Sequence, residues 1–181
     1  MGEINVTIDE NARLWPEKYW KIELAVYSAI AFSLPFLFPS SQLVTGTIVN
    51  ALLIISALHF KGRQVLPVVM LPSIAALLNG AVFGPFTLFL VYMLPFIWAG
   101  NFLLVHIIRE LQSAARLGYF KTLVLASVSK SALLFSGAFV LAGLSLVPSA
   151  LLFQMGPMQF ATALMGGIAV LILRRFAHLL K

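Results

Sequence analysis

Apolar residues fall in six long runs along the chain, and short segments rich in glycine, proline or basic residues separate these runs. A helix needs roughly 20 apolar residues to cross the hydrocarbon core of a bilayer, and lipid tolerates no open sheet edge. The pattern therefore predicts an all-α integral membrane protein, a bundle of six transmembrane helices. The predicted spans are residues 22–38, 43–59, 65–82, 86–108, 121–146 and 150–174.

The ends of the chain and its turns add detail to this pattern. Residues 1–21 are polar and lack the apolar core of a cleavable signal, so we expect an N-terminal cytoplasmic or interfacial segment before a transmembrane domain at 22–181. Trp15, Tyr19 and Trp20 would lie at headgroup depth, although a short solvated tail is the alternative. Gly156 and Pro157 are expected to interrupt the sixth span near its outer end.

Composition excludes several classes of protein. Of the 181 residues, 61% are hydrophobic and only 10% are charged, which excludes an ordinary soluble domain. The chain has no cysteine, so disulfides, thiolate metal sites and cysteine-ligated iron–sulfur clusters are excluded. The net charge of +6 would also suit nucleic acid, but basic residues in a membrane protein follow topology, so no nucleic-acid partner is expected.

The basic residues alternate between the two sides of the predicted bundle. The connections at 39–42, 83–85 and 147–149 contain no charge, whereas eleven of the twelve lysines and arginines lie on the other side. Because cytoplasmic segments are enriched in lysine and arginine, this alternation predicts that both termini are cytoplasmic. The eleven residues are Arg13, Lys18, Lys21, Lys61, Arg63, Arg109, Arg116, Lys121, Arg174, Arg175 and Lys181.

The twelfth basic residue, Lys130, lies inside the fifth predicted span. Its backbone would be about 13 Å from the cytoplasmic edge of a hydrocarbon core about 30 Å thick, which is farther than a lysine side chain reaches easily. Two interpretations stay open. In the first, Lys130 lies at the floor of a binding pocket or in a polar latch between helices. In the second, its side chain snorkels to the membrane surface.

Polar side chains within spans are costly unless they have partners, so they are the candidates for function. Glu23, at the start of the first span, is the only carboxylate in any span, and the histidines are expected to anchor the helices at the interface. We therefore predict no enzyme, no catalytic residue, no metal site and no cofactor, and instead the binding of a small polar or anionic molecule. The predicted substrate-binding residues, chosen by polarity, are Asn79, Trp98, Asn101, Lys130, Gln154 and Gln159.

Two of these candidates have equally plain structural interpretations. Asn79 precedes a turn formed by Gly80, Gly84 and Pro85, so it could face a pocket or simply close a tight hairpin. Trp98 shares a helix face with Asn101 at i and i+3, so it could stack on a ligand or pack within the bundle.

Small residues and the overall layout point to a family. Ala25 and Ala29 are four apart in the first span. With this pair, the Gly/Pro turn, the chain length, the six spans and the basic cytoplasmic side, the sequence resembles an S component, the substrate-binding membrane subunit of an energy-coupling factor (ECF) transporter. The resemblance implies capture of a vitamin-like or other micronutrient molecule at the outer face, in a bacterial or archaeal cell membrane.

The resemblance also implies partners. Ala25 and Ala29 would dock on the transmembrane coupling subunit, and two cytosolic ATPases would drive the subunit to topple in the lipid bilayer. The alternative is a non-catalytic structural or assembly subunit of a larger membrane complex. A channel is less consistent with the sequence, because its polar residues cluster instead of forming stripes through the full depth of several spans.

Overall fold

The computed structural model describes residues 17–39, 41–113 and 117–179, and all regular secondary structure in these ranges is helical. Trp15 and the rest of the predicted interfacial segment before residue 17 lie outside the described residues, as do Arg13, Arg116 and Lys181. The seven α-helices are α1 Trp20–Leu37, α2 Gln42–His59, α3 Leu66–Asn79, α4 Leu90–Ser113, α5 Tyr119–Gly143, α6 Ala150–Met155 and α7 Pro157–Leu179.

Six helical segments are long and apolar enough to cross a membrane, so the chain has the architecture of a multi-pass membrane protein. Short 3₁₀ turns at Gly62–Val65 and Gly84–Phe89 extend α3 and α4 at their starts. The sixth segment comprises α6 and α7, which meet at Gly156 as the sequence predicted. Six helical segments at the predicted positions are confirmed, with boundaries that agree to within about four residues.

Proline and glycine set the limits of α3. Pro67 lies in its first turn, where a missing N–H costs nothing, and Pro72 lies inside without ending the helix. Neither proline breaks the third span, and its helix is continuous from Leu66 to Asn79. Gly80 then adopts the left-handed conformation, with φ of 78°, and ends the helix.

Four helices form the centre of the bundle. α2, α4, α5 and α7 contact one another in a closed ring, while α3 packs on α4 and α1 packs on α3 and α2. Glycines allow α2 and α7 to approach closely. A Cβ atom on Gly166 of α7 would lie 2.8 Å from the Thr47 carbonyl oxygen and 2.8 Å from the Ala51 amide nitrogen of α2. Small residues at a helix crossing are typical of packing in lipid.

A polar layer separates two apolar clusters inside the bundle. One cluster lies toward the end that carries the basic residues, which we call the basic end; the other lies toward the uncharged end, where α2 starts and α5 finishes. On α5, Ala126 belongs to the first cluster and Leu134 to the second, with Lys130 midway between them. Ser73 on α3 and Asn101 on α4 occupy the corresponding positions, so the three residues share one layer.

Candidate functional site

A cavity of about 70 Å³ lies at this polar layer and extends toward the uncharged end. α2, α3, α4, α5, α7 and the connection after α3 all contribute to its wall. By size it holds a few water molecules or a small polar group. Its polar lining consists of Gln42, Thr45, Asn50, Ser73, Asn101, Lys130 and Gln159.

Lys130 is the only charged residue in the wall of this cavity. Its side chain is 2% exposed, and its Nζ donates a hydrogen bond to Asn50 Oδ1 at 2.6 Å. The residue lies roughly 17 Å along α5 from its start, near the middle of a membrane span. The structure therefore shows the latch between helices that the sequence left as one interpretation, and the side chain does not snorkel to the surface.

Asn50 is held in the orientation that presents its oxygen to Lys130. Its Nδ2 donates to the Gly46 carbonyl oxygen at 2.8 Å and to Thr162 Oγ1 at 3.2 Å. Thr162 in turn donates to the Gln159 carbonyl oxygen. Because both amide hydrogens are used, the Oδ1 atom is left to accept from the ammonium. Contacts within α2 and with α7 thus hold the Asn50 oxygen that accepts the hydrogen bond from Lys130 on α5.

The opposite side of the polar layer joins α3 to α4. Asn101 Nδ2 donates to the Val69 carbonyl oxygen at 3.0 Å, and Trp98 Nε1 donates to Ser73 Oγ at 2.9 Å. Ser73 Oγ donates to the Met70 carbonyl oxygen. Every one of these contacts is internal, so the protein's own hydrogen bonds hold this side of the wall together.

The structure brings three of the six predicted binding residues to the cavity: Asn101, Lys130 and Gln159. The other three, Asn79, Trp98 and Gln154, do not line it. Sequence reasoning left Asn50 and Ser73 out of the predicted set, although both contribute to the wall. The sequence shows Asn50 as a polar residue in a span, but Lys130 is 80 residues away in the chain. Only the packing of the helices brings the two side chains together.

The three predicted residues outside the cavity have structural contacts. Asn79 Oδ1 accepts a hydrogen bond from the Ala81 amide, which closes the tight turn that was its alternative interpretation. Trp98 supports Ser73 from behind the wall. The Gln154 carbonyl oxygen accepts from Gln42 Nε2 at 3.0 Å, which ties the end of α6 to the start of α2 at the cavity mouth.

A second buried polar cluster lies toward the basic end, where α1 meets the end of α2. Glu23 is 4% exposed, and its Oε1 lies 2.6 Å from His59 Nδ1 and accepts a hydrogen bond from the Tyr27 hydroxyl at 2.8 Å. The sequence predicted that His59 anchors its helix at the interface. In the structure its side chain lies at the end of α2, buried against Glu23 and Tyr27. Glu23 and Tyr27 share a face of α1 at i and i+4, whereas the contact with His59 requires the α1–α2 hairpin.

The alanine pair of α1 lies on the outside of the bundle. Ala25 and Ala29 are both exposed, on the face that also exposes Ile22, Val26 and Ile30. Within the part of the chain that the structure describes, no helix covers this face. A small-residue strip between larger apolar side chains suits either lipid or another membrane helix.

The cavity is small, and few reactive groups line it. Its lining contains amides, hydroxyls and one ammonium, with no carboxylate or imidazole to act as a base. Among the described residues, no group of three histidine, aspartate or glutamate side chains could hold a metal ion. A comparison of the chain with protein-family models, curated proteins and solved structures found no match. Inferences about function therefore depend on the geometry and the sequence.

Proposed function

We propose that the protein binds a small vitamin-like or other micronutrient molecule in this cavity, as the substrate-binding subunit of an ECF-type importer. The observation that carries the proposal is a cavity at mid-membrane depth that extends to one end of the bundle and has a buried lysine in its wall. A buried charge within a membrane span is costly, and it commonly marks a substrate or ion pathway.

The direction of the cavity supports uptake from outside the cell. It extends toward the uncharged end, whose lining includes Gln42 and Phe83. Under the positive-inside rule that end faces outward and both termini are cytoplasmic. A molecule would enter from the outer face of a bacterial or archaeal cell membrane and stop at the polar layer.

The exposed face of α1 supports a membrane partner. Ala25 and Ala29 would allow the transmembrane coupling subunit of the importer to approach closely, with Ile22 and Val26 beside the contact. Two cytosolic ATPases would act through that subunit. In this proposal the chain is not an enzyme and binds no ATP itself.

A structural or assembly subunit of a larger complex is the alternative function. It would use the polar residues only to join helices, as Trp98 and Asn101 do. The buried ammonium in the cavity wall favours the binding function, because its N–H donors can also reach a molecule that enters the cavity.

Filling the cavity tests the proposal. Ala76→Leu and Val82→Phe enlarge two buried side chains that line it, while Ala150→Leu enlarges an exposed one at the same end of the bundle. Thermal-shift screening of the detergent-purified protein against vitamins and small metabolites should show a stabilising ligand for the wild type and for Ala150→Leu. The two cavity variants should need at least ten times more ligand for the same rise in melting temperature.

Two results would contradict the proposal. In the first, no molecule in the panel stabilises the wild type. In the second, the ligand stabilises both cavity variants, each folded with a cooperative melting transition, as well as it stabilises Ala150→Leu.

A further inference from the structure

The ammonium of Lys130 has unused capacity. It carries three N–H donors, and its hydrogen bond to Asn50 is the only one it makes with the described residues. No carboxylate in the described ranges lies within ion-pair distance of Lys130, even though the side chain is 2% exposed. A buried ammonium whose one partner is neutral is unfavourable, and an acceptor with a negative charge that enters the cavity would stabilise it.

The remaining wall supplies no negative charge. The lining around Lys130 consists of neutral amides and hydroxyls, whose oxygens can accept a hydrogen bond but cannot neutralise an ammonium. The group that complements Lys130 in charge as well as in hydrogen bonding is an anion with acceptor oxygens.

The other half of the cavity is apolar. Moving from the polar layer toward the uncharged end, the wall changes from Ser73 to Ala76 on α3 and from Asn101 to Ile97 on α4. Beyond them the lining is also apolar, with Val82, Phe83 and Leu90. A ligand that enters from this end would keep an apolar body against these side chains while its charged end reaches Lys130.

We propose that the ligand is a small monocarboxylic acid with an apolar body, bound with its carboxylate on Lys130 Nζ. This inference rests on the proposed binding function and adds the charge and polarity of the substrate. A single ammonium neutralises a single negative charge. A phosphate dianion, free or on a lipid headgroup, would leave one buried charge uncompensated, so the carboxylate is favoured.

Pairs of acids and amides test the charge without changing the shape of the ligand. Acetate, propionate, butyrate and isobutyrate, which are short enough for a cavity of about 70 Å³ that opens at one end, are each compared with the corresponding primary amide by isothermal titration calorimetry of the detergent-purified full chain. The wild type should bind at least one acid ten times or more tightly than its amide. In Lys130→Met and Lys130→Gln this preference should fall below about twofold, because the charge on the wall is gone.

Four outcomes separate the ideas. Equal binding of acid and amide by the wild type would overturn the monocarboxylate and leave the binding function standing. An acid preference that persists in folded Lys130→Met or Lys130→Gln would also overturn it, because another group then reads the charge. Binding of inorganic phosphate or short-chain phosphatidic acid, with no acid preference, would assign the site to phosphate. No binding by acids, amides or any panel molecule would contradict the proposed function itself.

Discussion

Glu23 connects two helices through one carboxylate oxygen. That oxygen accepts a hydrogen bond from Tyr27 and lies 2.6 Å from His59 Nδ1, and all three side chains are buried. Removing the carboxylate would take away the oxygen that both the Tyr27 hydroxyl and the His59 ring contact. A buried polar group that loses an acceptor destabilises the fold. The cluster is therefore expected to stabilise the contact of α1 with the end of α2.

The variant Glu23→Ala tests this role. We expect it to lower the free energy of unfolding by about 1–3 kcal/mol, because two buried polar groups lose an acceptor. The measurement is the melting temperature of the purified protein in detergent. Glu110→Ala removes an exposed carboxylate and should change stability by less than about 1 kcal/mol. Equal melting temperatures for the two variants would show that the buried cluster is not stabilising.

The contacts of a single residue could be predicted from the sequence only where its partner lies near it in the chain. Lys130 stood out because topology explained the other basic residues and not this one. Its acceptor Asn50 is 80 residues away, and His59 is 36 residues from Glu23. Neither pairing follows from spacing on one helix. Of the six binding residues predicted from polarity alone, three therefore lie at the cavity. Asn50 also lines the cavity but was not among the six.

The helix α7 shows how an element depends on its small residues. Gly166 faces the α2 backbone, and Gly167 faces the Leu123 side chain of α5. A methyl group on Gly166 would meet backbone atoms, which cannot move aside cheaply. The close crossing of α2 and α7 also places Thr162 against Asn50, so this packing supports the cavity wall.

The variant Gly166→Ala should therefore destabilise the bundle by about 1–3 kcal/mol, since overpacking of a close contact costs about that much. Gly143→Ala is the matched control, because nothing lies within 4 Å of a Cβ atom at that position of α5. Alanine at 143 should leave the melting temperature unchanged or raise it. If both variants melt alike, the crossing tolerates more space than the structure indicates.

Hydropathy predicted where the helices lie in the sequence better than it predicted which helices pack against each other. The length of each span and the break at Gly156–Pro157 could be predicted from the sequence, because both depend on residues that are close together in the chain. Which helix lies beside which was not legible. Lipid is as apolar as a protein core, so periodicity in a membrane helix does not mark the buried face. The neighbouring positions of α2 and α7, and with them the cavity wall, required the structure.

The bundle combines a buried polar layer with two unlike ends. Apolar clusters fill the basic and uncharged ends, and the polar layer with Lys130 lies between them. This arrangement places the cavity at the middle of the bundle, open toward the end without charges. The exposed face of α1 with Ala25 and Ala29 lies apart from the cavity, so ligand capture and partner docking would use separate surfaces.

Mass spectrometry of small molecules that copurify with the protein tests whether the cavity is a binding site. We expect wild-type protein, purified in detergent from cells that supply the substrate, to carry one small acid near one molecule per chain. Folded Ala76→Leu and Val82→Phe, purified in parallel, should lack it. An equal amount of the same molecule on the cavity variants, or no copurified molecule together with no binding from the metabolite panel, would contradict ligand capture at Lys130.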